Sequence, residues 1–193
     1  MNKKQEMIIT AAQEVFAEIG FKKVILDDVA QKLNMTRTAL YYYYKNKEEL
    51  FRAVLDYELE RYSFDLGKIT GEKGNTLLRL SLFCSHYVQL KKNFINMYKL
   101  TSLDIHSNFE IFKSFKIAIE KLHTDIIENI LEDDREIPVS TDVLQGSRIL
   151  SQAIRGLAII SDSSNFDTIL DEMSFLCSVF YCGLKSYNNQ KEQ

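Results

Sequence analysis

The stretch DDVAQKLNMTRTALYYYYKNKEEL, from Asp27 to Leu50, contains two short amphipathic helices joined by a turn. The apolar side chains predict the first helix over about 27–33 and the second from Thr36 to about residue 43 or 44. Asn34 lies in the turn, and Asn tolerates the left-handed backbone conformation better than most residues other than glycine. Two short helices with about three residues between them have the spacing of a helix-turn-helix.

The second of these helices has two chemically different faces, because successive residues are turned by about 100°. The first face offers one cation, one hydroxyl and two phenols: Arg37, Thr38, Tyr41 and Tyr42. The second face suits packing: Ala39, Leu40 and Tyr43. A short helix packed in a helical domain would also account for most of these residues. However, a helix cannot bury four consecutive tyrosines on one side, so at least one must stay exposed beside Arg37.

An exposed face of this composition suits the major groove of DNA, which admits a helix and is contacted by residues near the helix N-terminus. Six residues are predicted to contact DNA: Thr36, Arg37, Thr38, Tyr41, Tyr42 and Lys47. Arg37 can pair with a guanine edge or a phosphate, Thr38 and Tyr42 with base edges, and the other three with phosphates. Lys47 begins the next helix, where backbone N–H groups also attract a phosphate.

The composition of the whole chain favours long helices and few loops. Its 193 residues include only seven Gly and one Pro, and 46% are hydrophobic, which is enough for a sizeable core. The formal net charge is −3, so bulk charge does not attract the chain to nucleic acid. Residues 1–50 carry eight Lys and Arg against seven Asp and Glu. An all-α fold is predicted.

The three cysteines, Cys84, Cys177 and Cys182, include no CxxC pair. They are expected to be buried thiols, with neither a disulfide framework nor a metal site, and a reducing cytosol suits them. No stretch resembles a targeting segment or a membrane span. The sequence therefore predicts a cytoplasmic protein with no cofactor.

Residues 8–55 resemble the DNA-binding domain of the tetracycline-repressor (TetR) family of bacterial regulators. The matching positions are Ala11-Ala12, Val15-Phe16, Gly20-Phe21, Val29-Ala30, Leu33, Thr36, Leu40-Tyr41, Tyr44, Lys47 and Leu50. The resemblance implies that the six residues named above stand where the family contacts DNA, and that Leu40 and Tyr44 stand at core positions. Two positions depart from the family. Asn34 replaces the usual Gly, and Ile25 replaces a Thr or Ser that caps a helix and touches phosphate, so that contact is lost or shifts to a neighbour.

Helical periodicity continues along the rest of the chain. It predicts further helices over about 5–19, from Asn46 through the mid-sixties, and over about 75–90, 93–104, 109–132, 142–161 and 166–187. Loops are expected from Gly67 to Gly74 and over 133–141. The resemblance implies a helix-turn-helix DNA-binding domain over 1–46, followed by a helical ligand-binding and dimerisation domain over 47–193.

The C-terminal part carries no GxSxG, no Gly-rich phosphate loop and no HExxH, so no enzyme is predicted. Aromatic residues fall on its middle helices: Phe83, Tyr87, Phe94, Tyr98, Phe109, Phe112 and Phe115. Packing in a helical core accounts for each of them singly. The resemblance implies instead that these helices enclose a cavity for an apolar or aromatic ligand. The polar candidates for such a cavity are His86, Tyr87, Tyr98 and Arg155.

The last two helices are apolar over more than one face, whereas one stripe is enough to join a core. Small residues such as Ala153 and Gly156 would allow a second helix pair to approach closely. A two-fold four-helix interface is the simplest closed arrangement, and the resemblance implies dimerisation through these helices. A wholly internal core is the alternative.

These observations and the resemblance predict a ligand-responsive DNA-binding transcriptional regulator, a repressor. It would bind a palindromic operator as a homodimer and be released by a small apolar or aromatic effector. The alternative is a DNA-bound interaction protein that is controlled by a protein partner rather than a small ligand. An all-helical enzyme would need convergent titratable groups, which the sequence does not show.

Overall fold

The computed structural model describes residues 2–71, 74–98, 109–138, 141–160 and 166–187, without the side chains of 95–98, 109, 111, 159 and 160. Within these residues the secondary structure consists of helices alone, which confirms the all-α prediction. The helices are α1 (Lys3–Ile19), α2 (Leu26–Lys32), α3 (Arg37–Tyr43), α4 (Lys47–Gly71), α5 (Thr76–Tyr98), α6 (Phe109–Glu132), α7 (Val143–Ile160) and α8 (Phe166–Ser186). No helix in the described ranges has the length and apolar character needed to cross a membrane.

Helix α1 is closed at both ends by local contacts. Asn2 and Gln5 exchange side-chain to backbone hydrogen bonds of 2.8 and 3.1 Å in a capping box. At the other end, the Gly20 N–H donates to the Phe16 carbonyl at 2.8 Å. Gly20 has φ 89° and ψ 145°, so the chain leaves the helix in an extended direction. The positive φ still favours glycine here.

The turn between α2 and α3 has the predicted backbone. Asn34 has φ 50°, and the Met35 N–H donates to the Ala30 carbonyl at 2.9 Å. At the start of α2, Ile25 has no side-chain acceptor. Instead, the Asp28 carboxylate accepts a hydrogen bond of 2.8 Å from the Ile25 N–H, so the capping contact shifts to a neighbour.

Two predicted boundaries in the middle of the chain are wrong. Helix α4 does not stop at Gly67 but continues to Gly71, because buried Leu66 and Ile69 keep its packed face intact. Likewise, α5 is one helix from Thr76 to Tyr98, although helices over 75–90 and 93–104 were predicted. Buried Leu90 and Phe94 carry the helical period across the polar residues between them. Residues 99–104 lie outside the described residues.

The chain forms two compact units, residues 1–62 with 90–117 and residues 63–89 with 118–193. In the first unit α1 packs on α2 and α2 on α3, around the buried rings of Phe16 and Phe51. In the second unit α7 packs on α8. Helices α4, α5 and α6 each contribute residues to both units. The domain division at residue 46 stays a prediction.

Candidate DNA-binding site

The two faces of α3 differ in exposure as predicted. Tyr42 is 85% exposed and Tyr41 38%, whereas Leu40 is fully buried and Tyr44, just after the helix, is 7% exposed. The expected core positions Leu40 and Tyr44 are therefore confirmed. Tyr43, expected on the packed face, is half-buried, and its ring meets that of Tyr42 edge-on at 5.3 Å. Leu40 thus fixes the helix while the opposite side chains project outward.

Arg37 is held by two partners at the surface. Its Nη1 lies 3.3 Å from Oδ2 of Asp27 in α2, and its Nη2 donates to the Tyr41 hydroxyl at 3.2 Å. The guanidinium carbon also lies 5.2 Å from the centroid of the Tyr41 ring. The hydrogen bond to Tyr41 and the charge of Asp27 raise the pKa of Arg37. With 68% of its side chain exposed, Arg37 presents an oriented cation to solvent.

Thr36 and Thr38 lie on either side of Arg37, and both are exposed. Thr36 is the N-cap of α3, because its Oγ1 accepts a hydrogen bond of 3.2 Å from the Ala39 N–H. A hydroxyl that accepts in this way keeps its own proton, which is a donor suited to phosphate. The cap therefore places one hydroxyl donor at the first turn of the exposed helix.

Lys47 is arranged differently from the other predicted DNA contacts. Its ammonium donates to the carbonyl oxygens of Phe21 at 3.1 Å and Lys22 at 3.4 Å, and lies 4.9 Å from the centroid of the Phe21 ring. An ammonium has three donors, so one N–H remains for a phosphate. The first role of Lys47 is thus to join the start of α4 to the segment that follows α1.

Aromatic and polar contacts extend the joint between α4 and α1. The Phe51 ring lies 4.9 Å from Phe16 and 4.4 Å from Phe21. Farther along α4, Glu58 accepts a hydrogen bond of 2.7 Å from the side chain of Gln13, which is 8% exposed. Asn46 caps α4, because its side-chain oxygen accepts a hydrogen bond of 2.7 Å from the Glu49 N–H. The N-terminal half of α4 is therefore attached at several points to the three-helix unit that α1, α2 and α3 form.

Three of the four predicted ligand-site residues have described side chains, all in the second unit. His86 and Tyr87 are half-buried on α5, and Arg155 on α7 is ion-paired with Glu120 of α6 at 2.8 Å. The fourth, Tyr98, belongs to α5, but its side chain lies outside the described residues. Among the candidate aromatic residues, Phe83, Phe94, Phe112 and Phe115 are buried, as core packing requires.

Sequence reasoning did not select His123 for this site. It is fully buried on α6, with the rings of Phe83 at 5.0 Å and Tyr87 at 4.7 Å, both edge-on. Burial, and then the charge of Arg155, lower the pKa of His123 to about 3. Burial also raises the pKa of Tyr87 to about 12, against the opposing effect of Arg155. The sequence did contain one indication of this burial, because His123 stands at helical spacing from the isoleucines on the packed face of α6.

The last two helices expose large apolar side chains. Ile149 on α7 is 51% exposed, and Phe175 and Val179 on α8 are 72% and 55% exposed. Cys182 lies one turn beyond Val179 and is also exposed, so the expectation that all three thiols are buried is wrong. The other two, Cys84 and Cys177, are buried with their sulfurs 3.8 Å apart. The apolar surplus predicted for α7 and α8 is thus present at the surface.

Comparisons with known proteins agree with this geometry. Residues 8–54 match the family model described as bacterial regulatory proteins, tetR family. The chain is 26% identical over 126 residues to a Staphylococcus epidermidis protein named biofilm operon icaADBC HTH-type negative transcriptional regulator IcaR. The aligned residues make up 64% of this chain and 68% of that protein. It is 24% identical over 190 residues to the HTH-type transcriptional regulator QacR of Staphylococcus aureus, with 95% and 99% covered.

A solved transcriptional regulator from Cytophaga hutchinsonii has the same fold, with a TM-score of 0.77 at 22% identity. The alignment covers 95% of this chain and all of that one. These relatives are transcriptional regulators and not enzymes. Residues 8–54 thus match the DNA-binding domain of the tetR family of bacterial regulatory proteins, and the chain shares its fold with a solved transcriptional regulator.

Proposed function

We propose that the protein is a homodimeric, cytoplasmic repressor that binds a palindromic operator and is released by a small apolar or aromatic effector. Regulators of this family are ligand-responsive DNA-binding repressors. The observation that carries the finer proposal is the outward face of α3, where Arg37 is held in place and Tyr42 is 85% exposed. This face is anchored from behind by fully buried Leu40.

Each exposed group on this unit suits one kind of DNA contact. Arg37 can donate bidentately to a guanine edge, and Thr38 and Tyr42 can contact neighbouring bases, including a thymine methyl group. Thr36, Tyr41 and Lys47 can donate to phosphates, which positions the helix without selecting a sequence. The division predicts that Arg37 sets specificity and that Lys47 sets general affinity.

The proposed dimer forms through α7 and α8. Ile149, Phe175 and Val179 would each expose more than half of the side chain to water in a single copy. Pairing these helices about a two-fold axis would cover the same side chains on both copies. The two copies of α3 would then meet successive major grooves, about 34–36 Å apart or a multiple of that distance.

The proposed effector site lies around Tyr87, His123 and Arg155 in the second unit. The side chains there are largely aromatic, since Phe83 and Tyr87 contact His123 edge-on, and the polar groups are few. Such a mixture suits an apolar or aromatic molecule with one or two polar atoms. Because α4 is attached to the three-helix unit at Lys47 and Phe51, an effector that shifts α4 would move that unit and change the half-site spacing. The effector must bind the DNA-incompetent state more tightly.

A second candidate is a DNA-bound interaction protein controlled by a protein partner. The observation in its favour is the exposure of apolar side chains on α4 and α5, with Phe64 at 70% and Leu78 at 52%. The two candidates differ in their response to small molecules. An apolar or aromatic compound that raises the melting temperature and releases DNA supports the effector, whereas its absence from a broad screen supports the partner.

DNA binding is tested with a duplex selected by the wild-type protein from a random-sequence library. Arg37→Ala should weaken binding to this duplex by about 1–3 kcal/mol and relax specificity at one base pair. Lys47→Ala should weaken binding to all duplexes and lower the salt slope by about one. The matched control is Arg61→Ala, since Arg61 is exposed on α4 about 21 Å along the helix from Lys47. Unchanged affinity in both site variants would refute the assignment.

A further inference from the structure

Asp27 of α2 is paired with the arginine that faces DNA in the proposed function. We propose that Asp27 is a specificity-determining residue, a positioning carboxylate that directs Arg37 to one base edge and lowers affinity for random DNA. The inference rests on the proposed function, because it requires Arg37 to contact a base. It adds a residue of α2 to a recognition surface otherwise built from α3 and the start of α4.

The geometry holds the guanidinium from two directions. Oδ2 of Asp27 lies 3.3 Å from Nη1 of Arg37, and the Tyr41 hydroxyl accepts from Nη2 at 3.2 Å. One contact comes from the neighbouring helix and the other from the next turn of α3. The side chains of Asp27 and Arg37 are 42% and 68% exposed, and exposed ion pairs stabilise a fold very little. The main effect of the pair is therefore on the direction of Arg37.

Asp28, the next residue, shows what Asp27 does not do. The Asp28 carboxylate caps α2 by accepting from the Ile25 N–H at 2.8 Å. Oδ1 of Asp27 is buried and accepts no hydrogen bond from the part of the chain that the structure describes. A buried acceptor without a donor destabilises the fold. A place in the first turn of α2 favours an acidic residue at this position, but only a role toward Arg37 explains the contact between the two helices.

Two opposite effects on DNA binding follow. An arginine already held in its binding direction loses less rotamer freedom when it contacts a base, which favours the correct sequence. At the same time, a carboxylate beside the phosphates repels every duplex, whatever its sequence. Asp27→Asn should therefore lower discrimination at the Arg37 base pair by about three- to tenfold. It should also raise affinity for random duplex by about two- to fivefold.

The experiment measures dissociation constants by fluorescence anisotropy at one salt concentration. The probes are the duplex selected by the wild-type protein from a random-sequence library, the same duplex with each base pair changed in turn, and a random duplex. The base pair at which Arg37→Ala loses discrimination defines the Arg37 position. We expect Asp27→Asn to lower discrimination at that position alone, and to have no further effect on discrimination in the Arg37→Ala background.

Asp28→Asn is the matched control, since it makes the same charge change one residue away. Its amide oxygen can still accept from the Ile25 N–H, so it should lower the melting temperature only through the lost charge at the N-terminus of α2, and keep discrimination at the Arg37 position. If Asp27→Asn lowers discrimination as much in the Arg37→Ala background, Asp27 contacts a base itself and the inference is overturned. If Arg37→Ala loses discrimination but Asp27→Asn keeps it, the inference fails and the proposed function stands. If Arg37→Ala itself keeps full discrimination, the assignment of Arg37 falls first.

Discussion

The buried imidazole of His123 should make the stability of the protein depend on pH. The pKa of His123 is lowered from 6.5 to about 3 in the folded protein, first by burial and then by the charge of Arg155. Between these two values the unfolded chain binds a proton that the folded chain does not. The stabilising contribution is therefore complete above pH 6.5 and is lost progressively as the pH falls toward 3.

The size of the effect follows from the two pKa values. One pH unit corresponds to about 1.4 kcal/mol per proton, and about one and a half units of this window lie above pH 5. The His123 contribution to the free energy of unfolding should thus fall by about 2 kcal/mol between about pH 7.5 and pH 5. Carboxyl groups titrate at lower pH, and their contributions are shared by wild type and variant.

His123→Phe isolates the pH-dependent contribution of His123 to the free energy of unfolding. A phenyl ring can keep the edge-on contacts with Phe83 and Tyr87 but cannot titrate. Urea unfolding, followed by circular dichroism at fixed protein concentration, gives the free energy of unfolding of both proteins at both pH values. The difference between the proteins should shift by about 2 kcal/mol in favour of the variant at the lower pH. Any packing cost that is the same at both pH values cancels.

His86→Asn is the control, since it removes a half-buried imidazole from α5 and leaves His123 in place. A shift as large as that of His123→Phe would show that the effect is not specific to His123. A shift below about 0.5 kcal/mol in the His123→Phe comparison would contradict the reasoning, because it would mean that the folded protein accommodates the protonated imidazole.

Three further predictions concern stability and assembly. Leu40→Ala should lower the free energy of unfolding by about 2–4 kcal/mol in urea titrations, because Leu40 is fully buried. Tyr42→Ala should change it by less than about 0.5 kcal/mol, because Tyr42 is exposed. Equal effects would contradict the assignment of a buried and an exposed face to α3. Phe175→Glu should convert a dimer to a monomer in analytical ultracentrifugation without unfolding the helices, and an unchanged dimer would exclude α8 from the interface. Arg79→Met should lower the free energy of unfolding by about 2–3 kcal/mol in the same titrations, because the buried Arg79 guanidinium donates to the Ile69 and Thr70 carbonyls at the end of α4. A loss under about 0.5 kcal/mol would show that water replaces these donors.

Most of the helices could be predicted because their apolar residues recur at a constant helical period. The start and end of α6, at Phe109 and Glu132, match the predicted 109–132, and α7 and α8 differ from prediction by one residue. The same reasoning located Asn34 in the turn and Leu40 in the core, since each has a local cause. Local sequence was misleading at Gly67, where glycine lowers helix stability but buried neighbours outweigh it.

The contacts of the site were harder to predict, because they join residues that are distant in sequence. Lys47 was expected to face phosphate, yet the position of Phe21 and Lys22 carbonyls beside it depends on how α1 ends. The environment of His123 depends on two other helices in the same way. Asp27 is favoured by the helix dipole at the start of α2, which is a local effect. The distance between Asp27 and Arg37 depends on the angle at which α2 and α3 cross. The hydrophobic period of a single helix gives no information about that angle.

The charges of the helix-turn-helix unit connect these observations. Of its eight basic residues, Lys32 is paired with Glu14 and Glu18, Arg37 with Asp27, and Lys47 donates to backbone carbonyls. Because the eight basic residues of 1–50 are also offset by seven acidic ones, this surface binds random DNA weakly, since nonspecific affinity comes from neutralised phosphates. Operator affinity must then come from a small number of oriented base contacts. In the proposed function, Asp27 and Tyr41 supply this orientation for Arg37, while buried Leu40 fixes the helix that carries it.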